Sequence, residues 1–343
     1  MPASKSALAQ FRKSISYDLV KEQYDTIIQT FMPHMRTYRG YYLVAFDGDQ
    51  YDLPASEDIL DHGYRGFPVD KETETHYPKM YTVKALDLLS GAAIGFKESA
   101  KNDEIARALE ILPSLPRKTI AIYDRLYLSE RLIDGHIENG QDFIARCKSG
   151  STFKEIVSFF ESNKRRSFFY YNNKRINLIK VVNPKSGEKI VLATTLDLLF
   201  WGNKEMANLY TLRWDVESNN RDSTSTMKIE QWRTKFYNGI MQEIYGHLVI
   251  QCMTKIAIYS EGGYQIDLEK NEVNKSNFKL ILSAFVDSFS DLAQGFADDI
   301  VNKLRFYIVR SKEKRIRLKR SYDREIKKSG KKYRMATKVK RRP

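Results

Sequence analysis

The segment from Lys118 to Lys148 reads KTIAIYDRLYLSERLIDGHIENGQDFIARCK, and its grammar decides the fold. KTIAIYD is an apolar, β-forming run that ends on Asp124. LSERLIDGHIENG carries apolar residues at helical spacing and is stopped by Gly140, and DFIARCK returns to a strand. Working upstream, NDEIARALEIL reads as a helix closed by Pro113 and Pro116. Before it, KMYTVKALDLLSGAAIGFKES reads as a β-hairpin turning at LLSG, and YYLVAFDG as a strand ending on Asp47 and Gly48. The order is β-β-β-α-β-α-β, which predicts an α/β fold: a mixed sheet flanked by helices, with Asp47 and Asp124 terminating separate strands.

The flanks differ from this core. Leu8, Phe11, Ile15, Leu19, Tyr24, Ile27 and Phe31 recur near helical spacing, so residues 1–38 form an N-terminal helical segment ahead of a first core part, 39–150. Residues 151–200 contain β-rich runs separated by the turns NNK and NPKSGEK and read as an inserted antiparallel β subdomain. Its stretch KRRSFFYYNNKR suits stacking and phosphate contact, although Phe168 and Phe169 equally suit a core of their own. Helical periodicity returns in 201–302, where IMQEIYGHLVIQCMTKIAIY is apolar all round and reads as buried, and FKLILSAFVDSFSDLAQGFADDIVNKL reads as a helical pair.

With 343 residues, 42% of them hydrophobic, the chain can bury a sizeable core. No run of about eighteen apolar residues occurs and the N-terminus lacks the apolar segment of a signal peptide, so the sequence predicts a cytosolic protein with no membrane partner. Cys147 and Cys252 are too few for a disulfide framework, and no Cys/His zinc spacing is present; a carboxylate metal site stays open. The net charge of +14 is concentrated after residue 302, where 19 Lys and Arg face three Asp and Glu. Such a polycation, 303–343, points to a phosphate backbone as partner, with a merely solvating tail as the alternative.

One further stretch bears on chemistry. In LYTLRWDVESNNRDST, Leu209 to Thr224, helical geometry puts Tyr210, Arg213 and Glu217 on one face. A helix packed across the sheet end could bring Glu217 to Asp47 and Asp124, and convergent carboxylates hold Mg²⁺. Taken singly, Asp47-Gly48 is equally an ordinary turn, Asp124-Arg125 a surface ion pair and Glu217 a solvated carboxylate. Trp214 reads more readily as a core aromatic.

FDGDQYDLP, IYDRLYLSERLIDGHIENGQDFIARCK and LYTLRWDVES resemble, in order and content, the three catalytic blocks of the DDE transposases of bacterial insertion sequences. More narrowly they resemble the cut-and-paste group with the pattern Tyr-x2-Arg-x3-Glu-x6-Lys. The resemblance runs from about residue 40 to the basic tail and implies an RNase H-like core interrupted by the β insertion. It implies that Asp47, Asp124 and Glu217 form the metal-binding catalytic triad, with Mg²⁺ as cofactor and Mn²⁺ as substitute. Tyr210 and Arg213 match the pair that grips DNA phosphates. Arg125 and Tyr127 of the second block, and Lys314, Arg315, Arg317, Lys319 and Arg320 of the tail, are the further DNA-contacting candidates. The partners implied are double-stranded DNA, as element ends and target, and a second copy of the chain in the DNA complex. The location implied is the bacterial cytoplasm at the nucleoid.

The activity implied is nicking at an element end, a hairpin on the second strand positioned with help from the β insertion, and joining to target DNA. A transposase-derived DNA-binding protein that no longer cuts, and a nuclease that cleaves without joining, are the alternatives. The sequence departs from the pattern at Thr224, where the family has lysine, and Arg221, close to Tyr210 on the helical wheel, is the candidate replacement cation. It departs also in the SNN after Glu217, at Leu126 where glycine is usual, and at Asp49, which by strand alternation shares a side with Asp47.

Overall fold

The computed structural model describes residues 4–66, 77–182, 187–214, 220, 222–268, 272–288, 295 and 297–316. Two N-terminal helices, α1 (Lys5–Ser14) and α2 (Tyr17–Phe31), are started by Ser4 and Ser16, whose hydroxyls accept from the backbone N–H of Ala7 and Asp18. The core strands follow as β1 (Tyr42–Asp52), β2 (Lys79–Asp87) and β3 (Ala93–Ser99), with a short helix α3 (Glu57–Asp61) between the first two. Next come α4 (Glu104–Ile111), β4 (Thr119–Tyr123), α5 (Glu130–Asn139) and β5 (Asp142–Arg146). Apart from the short α3, read from the sequence as loop, the β-β-β-α-β-α-β order stands, and the mixed sheet with β2–β1 antiparallel and β1–β4–β5 parallel is RNase H-like.

Local chemistry explains the central crossover. Ser129 caps α5 by accepting from Leu132, and Gly140 ends it at φ +64°, a left-handed conformation that glycine adopts without a Cβ clash. The turn sends the chain straight into β5. Leu43 to Phe46 and Ile120 to Tyr123 are fully buried, as strands covered on both faces must be. Gly95 of β3 leaves room for Ile111 of α4 on one face, while Phe96 meets Tyr245 on the other, ring centroids 5.7 Å apart. Tyr245 belongs to α8 (Tyr237–Ser260), the long apolar helix, which also packs against α2.

The β insertion is antiparallel as read, but it does not stand apart as a sheet of its own. After α6 (Lys154–Glu161), β6 (Arg166–Tyr171), β7 (Lys174–Val182) and β8 (Lys189–Thr194) join edge-on to β5, giving one eight-stranded sheet ordered β3-β2-β1-β4-β5-β8-β7-β6. The free edge of β5 would otherwise leave a row of unpaired backbone groups, and β8 satisfies it. α7 (Asn203–Leu212) then packs on β7.

Two expectations change. The helix read through Leu209–Thr224 is interrupted: α7 ends at Leu212 with Arg213 as its cap, the described residues Trp214 and Asn220 are again helical, and Asp222–Thr226 forms a π-helical turn. The basic segment read from residue 303 begins inside folded structure. Its first residues belong to α10 (Ala297–Arg310) and to β11 (Glu313–Ile316), and the remainder, 317–343, lies outside the described residues. β11 joins β9 (Tyr264–Asp267) and β10 (Glu272–Lys275) in a small antiparallel sheet, which with α9 (Phe278–Asp287) and α10 forms a second apolar cluster.

Candidate functional site

β1 and β4 run parallel with Ala45 opposite Ile122, and Asp47 and Asp124 each lie two residues beyond that pair. The two carboxylates therefore stand side by side just past the end of the β1–β4 pairing; Asp124 follows the end of β4 as expected, but Asp47 does not terminate its strand, because pairing with β2 carries β1 on to Asp52. Phe46 and Tyr123 stack behind them at 5.0 Å, giving a rigid apolar backing. Arg213, placed at the end of α7, reaches both: its Nη1 lies 3.7 Å from Asp47 Oδ1 and its Nη2 4.0 Å from Asp124 Oδ2. The Arg213 side chain is only 7% exposed, while Asp47 and Asp124 are 22% and 31% exposed, so a buried cation backs two carboxylates that open partly to solvent.

The electrostatics of Asp47 follow from this crowding. Burial pushes its carboxyl up to about 7; Arg213 pulls the other way, and Glu104, Asp124 and Asp49 add to the rise. A further positive charge placed beside this carboxyl would favour its ionised form. Asp47 Oδ2 also accepts from Asn220 Nδ2 at 3.0 Å. Asp49 lies on the same side of β1, as alternation requires, with its Oδ1 accepting from the N–H of Gln50 at 2.9 Å.

Other residues singled out in the sequence are placed as follows. Tyr210 is 1% exposed and lies near both Arg213 and Asp124; burial raises its hydroxyl pKa. Tyr127 is likewise buried, its ring 5.3 Å from Tyr123, with burial and the neighbouring Glu104 carboxylate raising its hydroxyl. Arg125 and Leu126 are exposed in the loop after Asp124, and Trp214 is half-buried. Phe168 and Phe169 divide between the two roles open to them: Phe169 is buried and Phe168 is 48% exposed. Arg175 lies over the Phe168 ring at 4.0 Å, in a cleft of about 700 Å³ that Lys164, Arg166 and Lys174 also line. Glu217, Arg221, Arg317, Lys319 and Arg320 lie outside the described residues; Lys314 and Arg315 fall in β11, opposite Asn274 and Val273.

Sequence reasoning missed two neighbours of the site. Glu104 opens α4 and packs its carboxylate where a Cβ on Gly48 would be, a close approach that glycine permits. Lys84 sits in β2 at the position paired with Asp47. A lysine inside an apolar strand was the available signal for it; Glu104 looked like an ordinary first-turn acid.

Among the described residues, no three His, Cys, Asp or Glu side chains gather closely enough to hold a metal ion. The two aspartates nevertheless suit a hard cation, since both are oxygen donors and both already converge on one positive group. No helix among the described residues is long and apolar enough to cross a membrane.

A family model described as the transposase DDE domain matches residues 44–253, well over half of the chain and the whole of this site. The chain is similar to the transposase InsG for insertion sequence element IS4 of Escherichia coli (strain K12), at 23% identity over 299 residues, 78% of this chain and 65% of that one. It thus spans about 65% of the length of that relative. Among solved structures it is similar to a cryo-EM structure of a piggyBac transposase synaptic complex with hairpin DNA. The TM-score is 0.48 and the identity 14%, over 88% of this chain and 65% of that one.

Proposed function

This chain belongs to the transposase DDE domain family, and we propose that it is a metal-dependent DNA transposase that cuts at element ends and joins them to target DNA. The observation that carries the reading is the convergence of Asp47 and Asp124, from neighbouring parallel strands, on the single guanidinium of Arg213. Asp47, Asp124 and Glu217 would hold the metal, with Mg²⁺ the expected ion and Mn²⁺ a substitute. When bound, a pair of such ions activates the attacking oxygen and stabilises the leaving one.

The chain's own residues supply position and charge. Arg213 presents a planar fork that suits the non-bridging oxygens of a phosphodiester, and Tyr210, packed beside it, fixes its approach. Water attacks the phosphorus at the element end and the bond to the 3′ oxygen breaks, leaving a free 3′ hydroxyl. That hydroxyl attacks the opposite strand, forming a hairpin as the bond to the flanking strand breaks and leaves on its own 3′ hydroxyl; after water opens the hairpin, the element's 3′ hydroxyl attacks target DNA and releases a target 3′ hydroxyl. Each step exchanges one phosphoester bond for another or for a hydroxyl. The exposed Arg125, the cleft beside Phe168 and the basic chain end are the surfaces offered to DNA backbone and splayed bases. Two ends held together call for two copies of the chain.

The test is a labelled duplex carrying the element ends, incubated with purified protein and Mg²⁺. Nicking, hairpins and joined products are expected, and all should vanish with Asp47→Asn, Asp124→Asn or Glu217→Gln. Tight binding of the ends with no cutting by the wild type would overturn the reading. It would favour a DNA-binding protein disarmed around Glu217, an alternative that Thr224 in place of the family lysine supports. Cutting without joining would instead make it a nuclease.

A further inference from the structure

We infer that Lys84 is a positioning residue of this site, its buried ammonium orienting the Asn220 amide so that Asn220 donates to Asp47. The inference rests on the reading of Asp47 as a metal-holding carboxylate.

Lys84 is 1% exposed and lies in β2 directly across from Asp47. It is paired on its other side with Phe96, whose ring meets α8, so Asp47, Lys84 and Phe96 share one face of the sheet. Among the described residues no carboxylate pairs with Lys84. Its nitrogen donates to Asn220 Oδ1 at 3.3 Å and to Ser223 Oγ at 3.2 Å.

The consequence is directional. An ammonium can only donate, so the amide must turn its oxygen toward Lys84, and its NH₂ then faces Asp47 Oδ2 at 3.0 Å. Asp47 Oδ1 is left on the Arg213 side of the site. Ser223 donates onward to Gln251 Oε1 of α8 at 3.3 Å, which ties the relay to the long core helix. Asn220 lies three residues along the chain from Glu217, and these bonds tie Asn220 itself to the strands carrying Lys84 and Asp47.

A structural role alone would not select lysine here. Burying an ammonium is unfavourable unless its donors are used, and methionine would fill the same space in an apolar strand without that cost. The ammonium also faces Tyr51, its nitrogen 6.0 Å from the ring centre, and what its charge adds toward Asp47 is the fixed orientation of the amide. Outer partners of this kind tune the ligands they touch, and their loss typically weakens metal affinity about 10-fold to 100-fold.

The experiment titrates Mn²⁺ alone into the full chain without DNA, by calorimetry, for wild type, Lys84→Met, Asn220→Ala, the double variant and Asp47→Asn, each with a thermal melt. We expect the wild type to bind, Asp47→Asn to lose binding, and each single variant to weaken it about 10-fold or more. The double variant should be no weaker than either single one, because both break the same relay. A folded Lys84→Met or Asn220→Ala that binds Mn²⁺ within about twofold of wild type, or losses that multiply in the double variant, would overturn the inference. If Lys84→Met does not fold, Asn220→Ala decides alone by the same criterion. A wild type that binds no better than Asp47→Asn sinks the metal reading itself, and the inference with it, by a pattern unlike the others.

Discussion

Asp47 marks the point where β1 passes from full burial to partial exposure, and both aspartates were legible because an apolar run stopped on each of them, although only β4 ends there while β1 runs on to Asp52. What surrounds them was not. Lys84 and Glu104 come within reach of Asp47 only through strand register and a helix start far along the chain, information that spacing does not hold. A different buried group gives the molecule a measurable pH response. His136 is fully buried, and burial holds its imidazole down at about 4; Nδ1–H donates to the Gln141 carbonyl and Nε2 accepts from the Tyr123 hydroxyl at 3.0 Å. Between about pH 6.5 and 4 the unfolded chain takes up a proton that the folded one refuses, so stability falls as pH falls, by about 2–3 kcal/mol. Asp87, which burial pushes up to about 6, has the opposite slope, being favoured in the fold at low pH. The comparison is therefore wild type against His136→Gln in urea melts at pH 7 and 4.5, and the variant should lose the His136 share of the acid sensitivity.

Among the elements, α4 packs closely against the sheet at Gly95. A Cβ on Gly95 would come within 2.5 Å of Ile111 Cγ2 and 3.2 Å of Ala85 Cβ, both on well-packed elements. Gly95→Ala should therefore cost about 1–3 kcal/mol, read as a lowered melting temperature, whereas alanine at exposed Gly150, where nothing lies within 4 Å, should leave it nearly unchanged. The core elements were readable because each has one strong period and a stop signal, as Gly140 shows for α5. The end of α7 was not: Tyr210 and Arg213 keep helical spacing, but the regular helix stops between them at Leu212. The small β9–β10–β11 sheet was also unseen, since four-residue strands rich in charge carry almost no alternation. The insertion's antiparallel character was legible from its turns, while its continuity with β5 depends on a pairing that no local pattern records.

At the scale of the whole molecule, a nearly neutral body joins a strongly cationic chain end, and under the proposed function this division should govern how DNA binding responds to salt. Deleting residues 317–343 should weaken affinity for any duplex and flatten the fall of affinity with salt, because fewer counterions are released. An unchanged salt slope in filter or fluorescence binding would assign the contact to the folded body instead. We propose that Asp47, beside Asp124, holds the metal used for strand cleavage. The most direct measurement is cleavage of end-bearing DNA by Asp47→Cys in Mg²⁺ and in Mn²⁺, since manganese accepts a sulfur ligand far better than magnesium does. The prediction is activity lost in Mg²⁺ and restored in part by Mn²⁺. Undiminished Mg²⁺-supported cleavage by Asp47→Cys would contradict it.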